Sequence, residues 1–486
     1  MSVMESAAWS DSLFTGDWTR GSGPEVGVEE PATGDELGRI ALATAADIIA
    51  AADRAAVAQR AWAHTSYEER AAVLRRAGDL FEEHAAEIED WLVREAGSIP
   101  PKAQLETHTA AQECYEAAAL PSHPLGEILA TAKPRMSLAR RVPAGVVGVI
   151  SPFNFPLVLS IRSVAPALAL GNAVLLKPDP RTAVCGGYVL ARVFQEAGLP
   201  DGVLQVLPGG ADAGAALVEA TAVRVISFTG STAAGRKVGE AAGRLLKRAH
   251  LELGGNSALI VLDDADLERG ISAAAFGSFI HQGQVCMTTG RHIVHESIAD
   301  EYAARLAEKA DHLPVGDPAR DPVALGPIID AGQRDRIHAL VTASQNAGAT
   351  IAAGGSYDGL FYRPTVVTDV RSDTPVWAEE VFGPVAPIAR FSTLDEAAAL
   401  AAGTEYGLSL GILTRDVMKG VALADRIPSG LVHINDQTVD DEAVAPFGGV
   451  AASGTGSRFG GAAANVEAFT ETQWLTLQGE VSPYPF

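Results

Sequence analysis

Short apolar segments alternate with helix-like segments throughout residues 146–248. The apolar segments are rich in Val, Leu and Ile and end in turns that contain Gly, Pro, Ser or Asn, which is the pattern of buried strands. Parallel strands separated by helices are joined by right-handed crossover connections. The sequence therefore predicts a parallel α/β unit with strands at 146–150, 173–177, 203–207 and 223–228 and helices at 157–170, 183–197, 211–220 and 233–248.

The half of the chain after residue 251 repeats this alternation without repeating the sequence. Its helices include 267–282, 298–310, 331–347 and 394–402. Its strands are predicted near 258–262, 292–295, 365–367, 387–391, 410–413 and 430–435. A second α/β unit follows from this pattern, and the chain as a whole is placed in the α/β class.

Three further segments have a different character. Ala-rich helices, interpreted as packing material, are predicted at 45–65, 67–97 and 101–119. Residues 121–142 have the pattern of an exposed hairpin, and residues 466–477 have β-like character that suits pairing with it. An exposed ribbon of this kind commonly pairs with another subunit.

Charge and cysteine content exclude several classes of function. The 486-residue chain has a net charge of −23, so a basic nucleic-acid-binding surface is not expected. Three cysteines without a CxxC pair argue against a disulfide framework or a zinc site, and favour the reducing cytoplasm. No secretory leader is predicted at the N-terminus. Four prolines interrupt the apolar stretch 142–176, so a membrane span is not predicted either.

The turns that follow the strands of the first unit carry candidate ligand-binding residues. Such turns place backbone N–H groups and helix N-termini at one edge of a parallel sheet, where phosphate groups bind. Thr229, Gly230 and Ser231 form one such turn, Lys177 ends a strand, and Asn154 has an amide suited to an oxyanion. A capped helix, a solvated lysine and an ordinary turn asparagine are the alternative interpretations.

Glu252 and Cys286 are separated by 34 residues and stand beside glycines. A thiol and a carboxylate that converge in space are the minimum that thiol nucleophilic catalysis with a separate base requires. Taken singly, Cys286 also suits a structural or redox-sensing thiol, and Glu252 a solvated loop carboxylate.

Seven short motifs follow one another along the chain: SPFNFP, LLKP, SFTGST, LELGGN, GQVC, EEVFGP and PFGG. The series resembles the NAD(P)-dependent aldehyde dehydrogenases over essentially the whole chain. KPDPRT at 177–182, INDQT at 434–438 and SGTGSRFG at 453–460 are similar to the benzaldehyde and vanillin dehydrogenase branch. The resemblance implies two Rossmann-like parallel-sheet α/β domains and a small β oligomerisation element.

The same resemblance implies a domain organisation and a set of partners. A dinucleotide-binding domain would comprise residues 1–120 and 142–252, a catalytic domain residues 253–446, and an oligomerisation arm residues 121–141 and 466–486. A small-molecule aldehyde is the implied partner of a cytoplasmic homodimer or homotetramer, and neither nucleic acid nor membrane is expected.

In the implied mechanism, the Cys286 thiolate attacks an aldehyde, most simply an aromatic one such as benzaldehyde, to form a thiohemiacetal. Asn154 and the Cys286 backbone N–H would hold the oxyanion, hydride transfer to NAD or NADP would leave a thioester, and Glu252 would activate water. No metal is expected. A CoA-acylating semialdehyde dehydrogenase and a catalytically silent binding relative are the alternatives. Glu252 disfavours the first, and the intact trio of side chains disfavours the second.

The resemblance also implies two sets of contacts. Cofactor-binding positions are Ser151, Pro152, Phe153, Lys177, Pro178, Asp179, Pro180, Gly210, Gly214, Thr229, Gly230, Ser231, Gly235, Leu253, Gly254, Glu380 and Phe382. Substrate-binding positions are Phe155, Leu159, Arg162, Val285, Met287 and Phe447, with the direction of Arg162 left open. Their mostly apolar character favours a hydrophobic or aromatic aldehyde.

Three positions depart from the family pattern. Pro180 replaces the Glu that usually binds the ribose 2′-hydroxyl, which relaxes the preference for NAD unless Asp179 substitutes, so NAD and NADP both remain open. Phe153 stands where Trp is common. The segment 453–459 has no Glu, which leaves Glu252 as the expected sole base.

Overall fold

The computed structural model describes residues 9–485. In chain order the strands are β1 (Ser12–Phe14), β2 (Trp18–Arg20), β3 (Glu25–Glu29), β4 (Glu36–Ala41), β5 (Gly126–Ile128), β6 (Met136–Pro143), β7 (Val146–Ile150), β8 (Ala173–Lys177), β9 (Leu204–Val206), β10 (Val223–Thr229), β11 (Arg248–Glu252), β12 (Ser257–Val261), β13 (Thr289–His295), β14 (Thr350–Ala353), β15 (Tyr357–Asp358), β16 (Phe361–Tyr362), β17 (Thr365–Thr368), β18 (Val385–Phe391), β19 (Tyr406–Gly407), β20 (Ser409–Leu413), β21 (Leu431–Ile434), β22 (Val450–Ala451) and β23 (Thr470–Leu477). The α-helices are α1 (Ala45–Trp62), α2 (Tyr67–Glu83), α3 (Ala85–Ala96), α4 (Pro100–Ala119), α5 (Pro156–Ala169), α6 (Val189–Glu196), α7 (Ala211–Glu219), α8 (Thr232–Arg244), α9 (Leu267–Phe279), α10 (Glu296–His312), α11 (Ala331–Asn346), α12 (Pro375–Ala378), α13 (Leu394–Ala402), α14 (Val417–Ala424) and α15 (Ala462–Phe469). Within residues 9–485, the helices fall short of the length and apolar character that crossing a membrane requires.

The first of two seven-stranded sheets has the strand order β11-β10-β7-β8-β9-β1-β2. Strands β11 to β9 are parallel, whereas β1 and β2 join antiparallel. Successive side chains along a strand point to opposite faces of the sheet. Val147 and Val149 therefore enter the apolar layer under α2–α6, and Val146 and Ile150 enter the layer under α1 and α7. Because both faces are covered, the central strand β7 is continuously apolar in sequence.

The second sheet has the order β14-β17-β18-β13-β12-β20-β21. It is parallel except for β14, which pairs antiparallel with β17. Leu259 and Val261 enter the layer formed with α9 and α10, and Ala258 and Ile260 enter the layer formed with α13 and α14. The predicted α/β class is thus confirmed, with the correction that antiparallel strands occupy an edge of each parallel sheet.

Strands β5, β6 and β23 form a separate antiparallel sheet, in which Thr470 pairs with Pro143 and Leu477 with Met136. The predicted pairing of the chain's end with the hairpin is confirmed. The β-like interpretation of residues 466–469 is wrong, because they form the last turn of α15. There Phe469 is fully buried, and Val466 packs against the apolar layer under α2–α6.

Three other predicted elements differ in the structure. The helix predicted at 67–97 divides at His84 into α2 and α3. The helix predicted at 183–197 begins with a π-helical turn, Val184–Tyr188. The helix predicted at 233–248 ends at Arg244, and Arg248–Glu252 becomes the edge strand β11. Pairing with β10 satisfies the backbone groups of β11, which overrides its residues' helix propensity.

Candidate active site

Two connected cavities lie between the carboxyl edge of the first sheet and the amino edge of the second. The large cavity, of about 780 Å³, is lined by the segments that follow β7, β8, β10 and β11 and by those that precede β18 and β20. The small cavity has a volume of about 100 Å³. Asn154, Leu159 and Cys286 line both, so the two cavities meet at the Cys286 thiol.

The large cavity brings together most residues of the predicted cofactor set. Ser231 caps α8 by accepting from Ala234 N at 3.3 Å, which leaves helix N–H groups facing the turn. Lys177 is only 7 % exposed and donates to Gly209 O at 2.7 Å, so the interpretation as a solvated lysine is wrong. The predicted residues that line this cavity are Ser151, Pro152, Phe153, Lys177, Asp179, Thr229, Gly230, Ser231, Leu253, Gly254, Glu380 and Phe382.

Five predicted cofactor residues lie outside this lining: Pro178, Pro180, Gly210, Gly214 and Gly235. A Cβ at Gly235 would approach a Leu253 methyl to 2.2 Å, so this glycine allows α8 to pack against the strand end. A Cβ at Gly214 would lie 3.6 Å from Lys177 Cε, an ordinary packing distance, and Pro180 starts a 3₁₀ turn. These residues shape the elements behind the cavity wall.

Arg181, which belongs to the KPDPRT motif but not to the predicted cofactor set, also lines the large cavity. Its guanidinium donates to both carboxylate oxygens of Asp179, at 2.9 and 2.8 Å, and to Asp330 at 2.5 Å. It lies 4.3 Å from the Phe153 ring centroid. Although burial raises the pKa of Asp179, the hydrogen bonds and charge of Arg181 hold it below its usual value. The carboxylate at this end of the cavity is therefore neutralised by a cation two residues away.

All six predicted substrate residues line the small cavity: Phe155, Leu159, Arg162, Val285, Met287 and Phe447. Helix α4, which was interpreted as packing material, adds Lys102, Leu105 and Thr109 to the same wall. Besides Asn154 and Cys286, the remaining lining residues are Val158, Phe276, Ile280, Val439, Asp440 and Asp441. Neither α4 nor the 439–441 loop carries a recognisable motif, so only the packing of distant segments identifies them.

The structure settles the direction of Arg162, which faces the small cavity. The guanidinium is ion-paired with Asp441 and lies 4.2 Å from the Phe447 ring centroid. Arg162 is 2 % exposed, and within residues 9–485 its Nε and Nη1 have no hydrogen-bond partner. A buried guanidinium with unused donors therefore stands at the wall of an otherwise largely apolar cavity.

The loop that carries Cys286 is held in an unusual backbone conformation before β13. His281 and Gln282 have φ angles of 49° and 57°, which are disfavoured for side chains other than glycine. The Gln282 amide donates to Gly97 O at 3.1 Å and to Pro327 O at 2.8 Å, which anchors the loop from outside. A Cβ at Gly255 would lie 2.4 Å from Cys286 O, so only glycine permits the LGGN segment to approach the thiol loop this closely.

Burial and nearby carboxylates determine the ionisation of the thiol. Burial raises the pKa of Cys286 to about 12, with Glu380 and Glu252 adding to the effect and Arg162 opposing it. Burial also raises the pKa of Glu380 to about 7, while Gly255 N donates to its Oε1 at 3.0 Å. Cys286 is therefore a thiol in this environment, and a base or a nearby positive charge is needed to generate the thiolate.

The Asn154 side chain reaches across to the thiol loop. Its amide nitrogen donates to Gln284 O at 2.8 Å, and its main-chain oxygen accepts from Lys102 at 2.8 Å. The residue is 3 % exposed, so the interpretation as an ordinary turn asparagine is wrong. The amide thus holds the thiol loop, and Asn154 lines both cavities.

Glu252 ends β11 and is 2 % exposed, so the solvated-loop interpretation is wrong as well. Its Oε2 accepts from Gly449 N at 3.3 Å, and within residues 9–485 its Oε1 has no hydrogen-bond partner. Burial raises the pKa of Glu252 to about 8, and the positive charge of Arg162 opposes the rise. Glu252 lies behind the walls of both cavities and is not among their lining residues.

The chain belongs to the aldehyde dehydrogenase family, whose family model matches residues 18–475. It is 71 % identical to a vanillin dehydrogenase of an Amycolatopsis species over the full length of both chains. It is 50 % identical to the NAD⁺ benzaldehyde dehydrogenase of Pseudomonas putida over 99 % of each chain. The crystal structure of a salicylaldehyde dehydrogenase from Pseudomonas putida G7, complexed with salicylaldehyde, superposes with a TM-score of 0.94 at 36 % identity, covering 98 % of this chain and 99 % of the other. The predicted enzyme class and the predicted similarity to the benzaldehyde and vanillin branch are confirmed.

Proposed function

We propose that this aldehyde dehydrogenase oxidises aromatic aldehydes to carboxylic acids with a nicotinamide cofactor, through Cys286. The observation that carries the proposal is the position of the thiol at the junction of two cavities. The large cavity has the volume of a cofactor site, and the small one offers aromatic walls such as Phe155 and Phe447. The similarity to vanillin, benzaldehyde and salicylaldehyde dehydrogenases supports the aromatic class.

In the first step, the partly exposed Cys286 thiol loses its proton to solvent in the large cavity, and the resulting thiolate attacks the aldehyde carbon, so that a C–S bond forms and the carbonyl π electrons move to oxygen. The Asn154 amide and the Cys286 backbone N–H donate hydrogen bonds to this oxyanion. Because the negative charge on oxygen forms only as the reaction proceeds, these hydrogen bonds are stronger in the transition state than with the bound aldehyde. When bound, the nicotinamide ring accepts the hydride that leaves this carbon. The C=O bond re-forms as the hydride leaves, and Cys286 carries a thioester.

Glu252 then removes a proton from water, whose oxygen attacks the thioester and expels the Cys286 thiolate. A raised pKa suits this task, because a base with a pKa of about 8 binds the proton far more strongly than an ordinary carboxylate. The free Oε1 of the carboxylate supports this role. The presence of such a base favours hydrolysis over acyl transfer to CoA.

For the cofactor, we propose that the large cavity holds the dinucleotide with Lys177 at the adenosine ribose, the 230–231 turn at the pyrophosphate and Glu380 at the nicotinamide ribose. Helix α8 directs its capped N-terminus at the turn, which suits a phosphate. Asp179 is engaged by Arg181 on both oxygens, so its repulsion of a 2′-phosphate is weakened. We therefore propose that the enzyme accepts both NAD⁺ and NADP⁺.

The reaction is tested by incubating the protein with benzaldehyde and either cofactor in the absence of CoA. Benzoate and reduced nicotinamide are expected in equal amounts. Cys286→Ala should abolish formation of benzoate and of reduced nicotinamide. Cys114→Ala should retain activity, because this fully buried thiol lies in the apolar layer under α2–α6. Acid formation that requires CoA, or better turnover of short aliphatic aldehydes or charged semialdehydes, would contradict the proposal.

We further propose that the β5–β6–β23 arm joins subunits into a homodimer or homotetramer. Ile128 and Trp474 are 80 % and 65 % exposed on this sheet, which is unusual for large apolar side chains on a monomer's surface. The division into a dinucleotide-binding domain (1–120 and 142–252), a catalytic domain (253–446) and the arm belongs to the same proposal. Three free cysteines support a reducing, cytoplasmic location.

A further inference from the structure

Helix α4 carries an ion pair that has no part in the reaction steps above. Lys102 and Glu106 lie one helical turn apart, are 1 % and 0 % exposed, and are paired with each other. Burying two charges is costly unless every donor and acceptor finds a partner. The partners of this pair therefore indicate why the fold retains it.

All three N–H groups of the Lys102 ammonium are used. They are donated to Glu106 Oε1, to Ser98 Oγ at 3.0 Å and to the main-chain oxygen of Asn154 at 2.8 Å. The ammonium also lies 4.3 Å from the Phe155 ring centroid. Lys102 therefore holds the main chain of one residue and the ring of the next, both of which line the small cavity.

Glu106 holds the other end of the same turn. Its Oε2 accepts from Leu157 N at 3.2 Å and from Val158 N at 3.4 Å, in the first turn of α5. These N–H groups have no partner within a helix, and a carboxylate is favoured at a helix N-terminus. One ion pair thus clamps the turn 154–158 at its beginning and at its end.

We infer that Lys102 and Glu106 form a positioning pair that fixes the Asn154 amide toward the aldehyde oxygen. The inference rests on the proposed oxyanion role of Asn154. The backbone of Asn154 is held by Lys102 from α4, and its amide is tied to Gln284 O on the thiol loop. Oxyanion stabilisation requires donors at 2.7–3.1 Å, and a misplacement of about 1 Å costs up to about a hundredfold in rate.

The test replaces both charges at once by Lys102→Met with Glu106→Leu, because an apolar pair of similar volume avoids leaving one buried charge alone. The expected result is a kcat for benzaldehyde lowered about tenfold with a KM changed less than about twofold, since the lost interaction belongs to the transition state. Asn154→Ala alone should lower kcat about a hundredfold. In the combined variant, the paired replacement should lower kcat no further.

A second readout separates positioning from general damage to the site. Iodoacetamide alkylates a thiol without forming an oxyanion, so its rate with Cys286 should be unchanged in the paired variant. Asn172→Ala is the matched control: Asn172 is fully buried and bonded to Gly145 N and Phe469 O at the opposite sheet edge. It should lower the thermal midpoint without lowering kcat. Lys102→Gln with Glu106→Gln, which also removes both charges at once, replaces the paired variant if that one does not fold, with the same expected loss of kcat.

These experiments distinguish the positioning role of Lys102 and Glu106 from the proposed oxyanion role of Asn154. Independent, multiplicative losses from the paired replacement and Asn154→Ala would overturn the inference, because the pair would then act elsewhere. A fall in alkylation rate equal to the fall in kcat would overturn it as well. Retention of kcat by Asn154→Ala would instead overturn the oxyanion role itself.

Discussion

Glu252→Gln removes the proposed base while keeping the shape of the side chain. Thioester formation does not need this base, so each active site should release one equivalent of reduced nicotinamide in a rapid burst. Steady turnover should then fall by about 10²- to 10⁴-fold, the usual contribution of a positioned general base. In the wild-type enzyme, turnover should rise as pH increases through about 8, because only the deprotonated Glu252 accepts the proton of water.

The same substitution has a calculable effect on stability. The pKa of Glu252 rises from 4.5 to about 8 on folding. The folded protein therefore keeps a proton that the unfolded chain loses, and wild-type stability declines between about pH 4.5 and 8. At 1.36 kcal/mol per pKa unit, the decline amounts to at most about 5 kcal/mol. Glutamine does not titrate, so the stability of Glu252→Gln should not show this decline.

A chain of 486 residues has an unfolding entropy of about 1 kcal/mol per degree, and about 4 kcal/mol of the decline falls between pH 5 and pH 9, so the variant should gain up to about 4 °C on wild type over that range. Differential scanning fluorimetry at several pH values measures this, with stopped-flow absorbance at 340 nm for the burst. Glu268→Gln, an exposed substitution of the same kind at the start of α9, is the matched control. A pH-independent midpoint difference for Glu252→Gln, or loss of the burst, would refute the reasoning.

Three further perturbations test other parts of the site. Arg162→Met removes a charge that lowers the pKa of Glu252, so the low-pH limb of the kcat profile should move to higher pH. Arg181→Ala leaves the Asp179 carboxylate without its neutralising partner, so NADP⁺ affinity, measured by fluorescence titration, should fall about tenfold more than NAD⁺ affinity. Trp474→Asp places a charge on the exposed arm, and light scattering should detect a smaller assembly at micromolar concentration.

Each of these three predictions has an outcome that would contradict it. An unshifted pH profile in Arg162→Met would mean that Arg162 does not act on Glu252. Equal losses of affinity for both cofactors in Arg181→Ala would mean that Arg181 supports binding without bearing on the 2′-phosphate. An unchanged molar mass for Trp474→Asp would place the subunit contact elsewhere.

Much of the cavity lining followed from the sequence because it is local to motifs. A residue next to the end of a strand lies at the same edge of the sheet as the turn motif that follows the strand. The sequence therefore predicts Ser231 and Asp179 as cavity residues together with their turns. Lys102 was not found, because a lysine and a glutamate four residues apart in an Ala-rich helix ordinarily form a solvated pair. Only the packing of α4 on α5 turns that pair inward.

Strand β11 illustrates the same division. The segment 233–248 contains good helix formers, and nothing within it marks the change at Arg244; pairing with β10 decides it. The sequence by itself determined the alternation of strands and helices, since both faces of the sheets are covered and their central strands must be apolar. It also singled out the candidate thiol, carboxylate and amide, since their motifs are short and contiguous. Their ionisation, the direction of Arg162 and the clamp on Asn154 were decided only by the tertiary structure, because burial and charge depend on residues far apart in the chain.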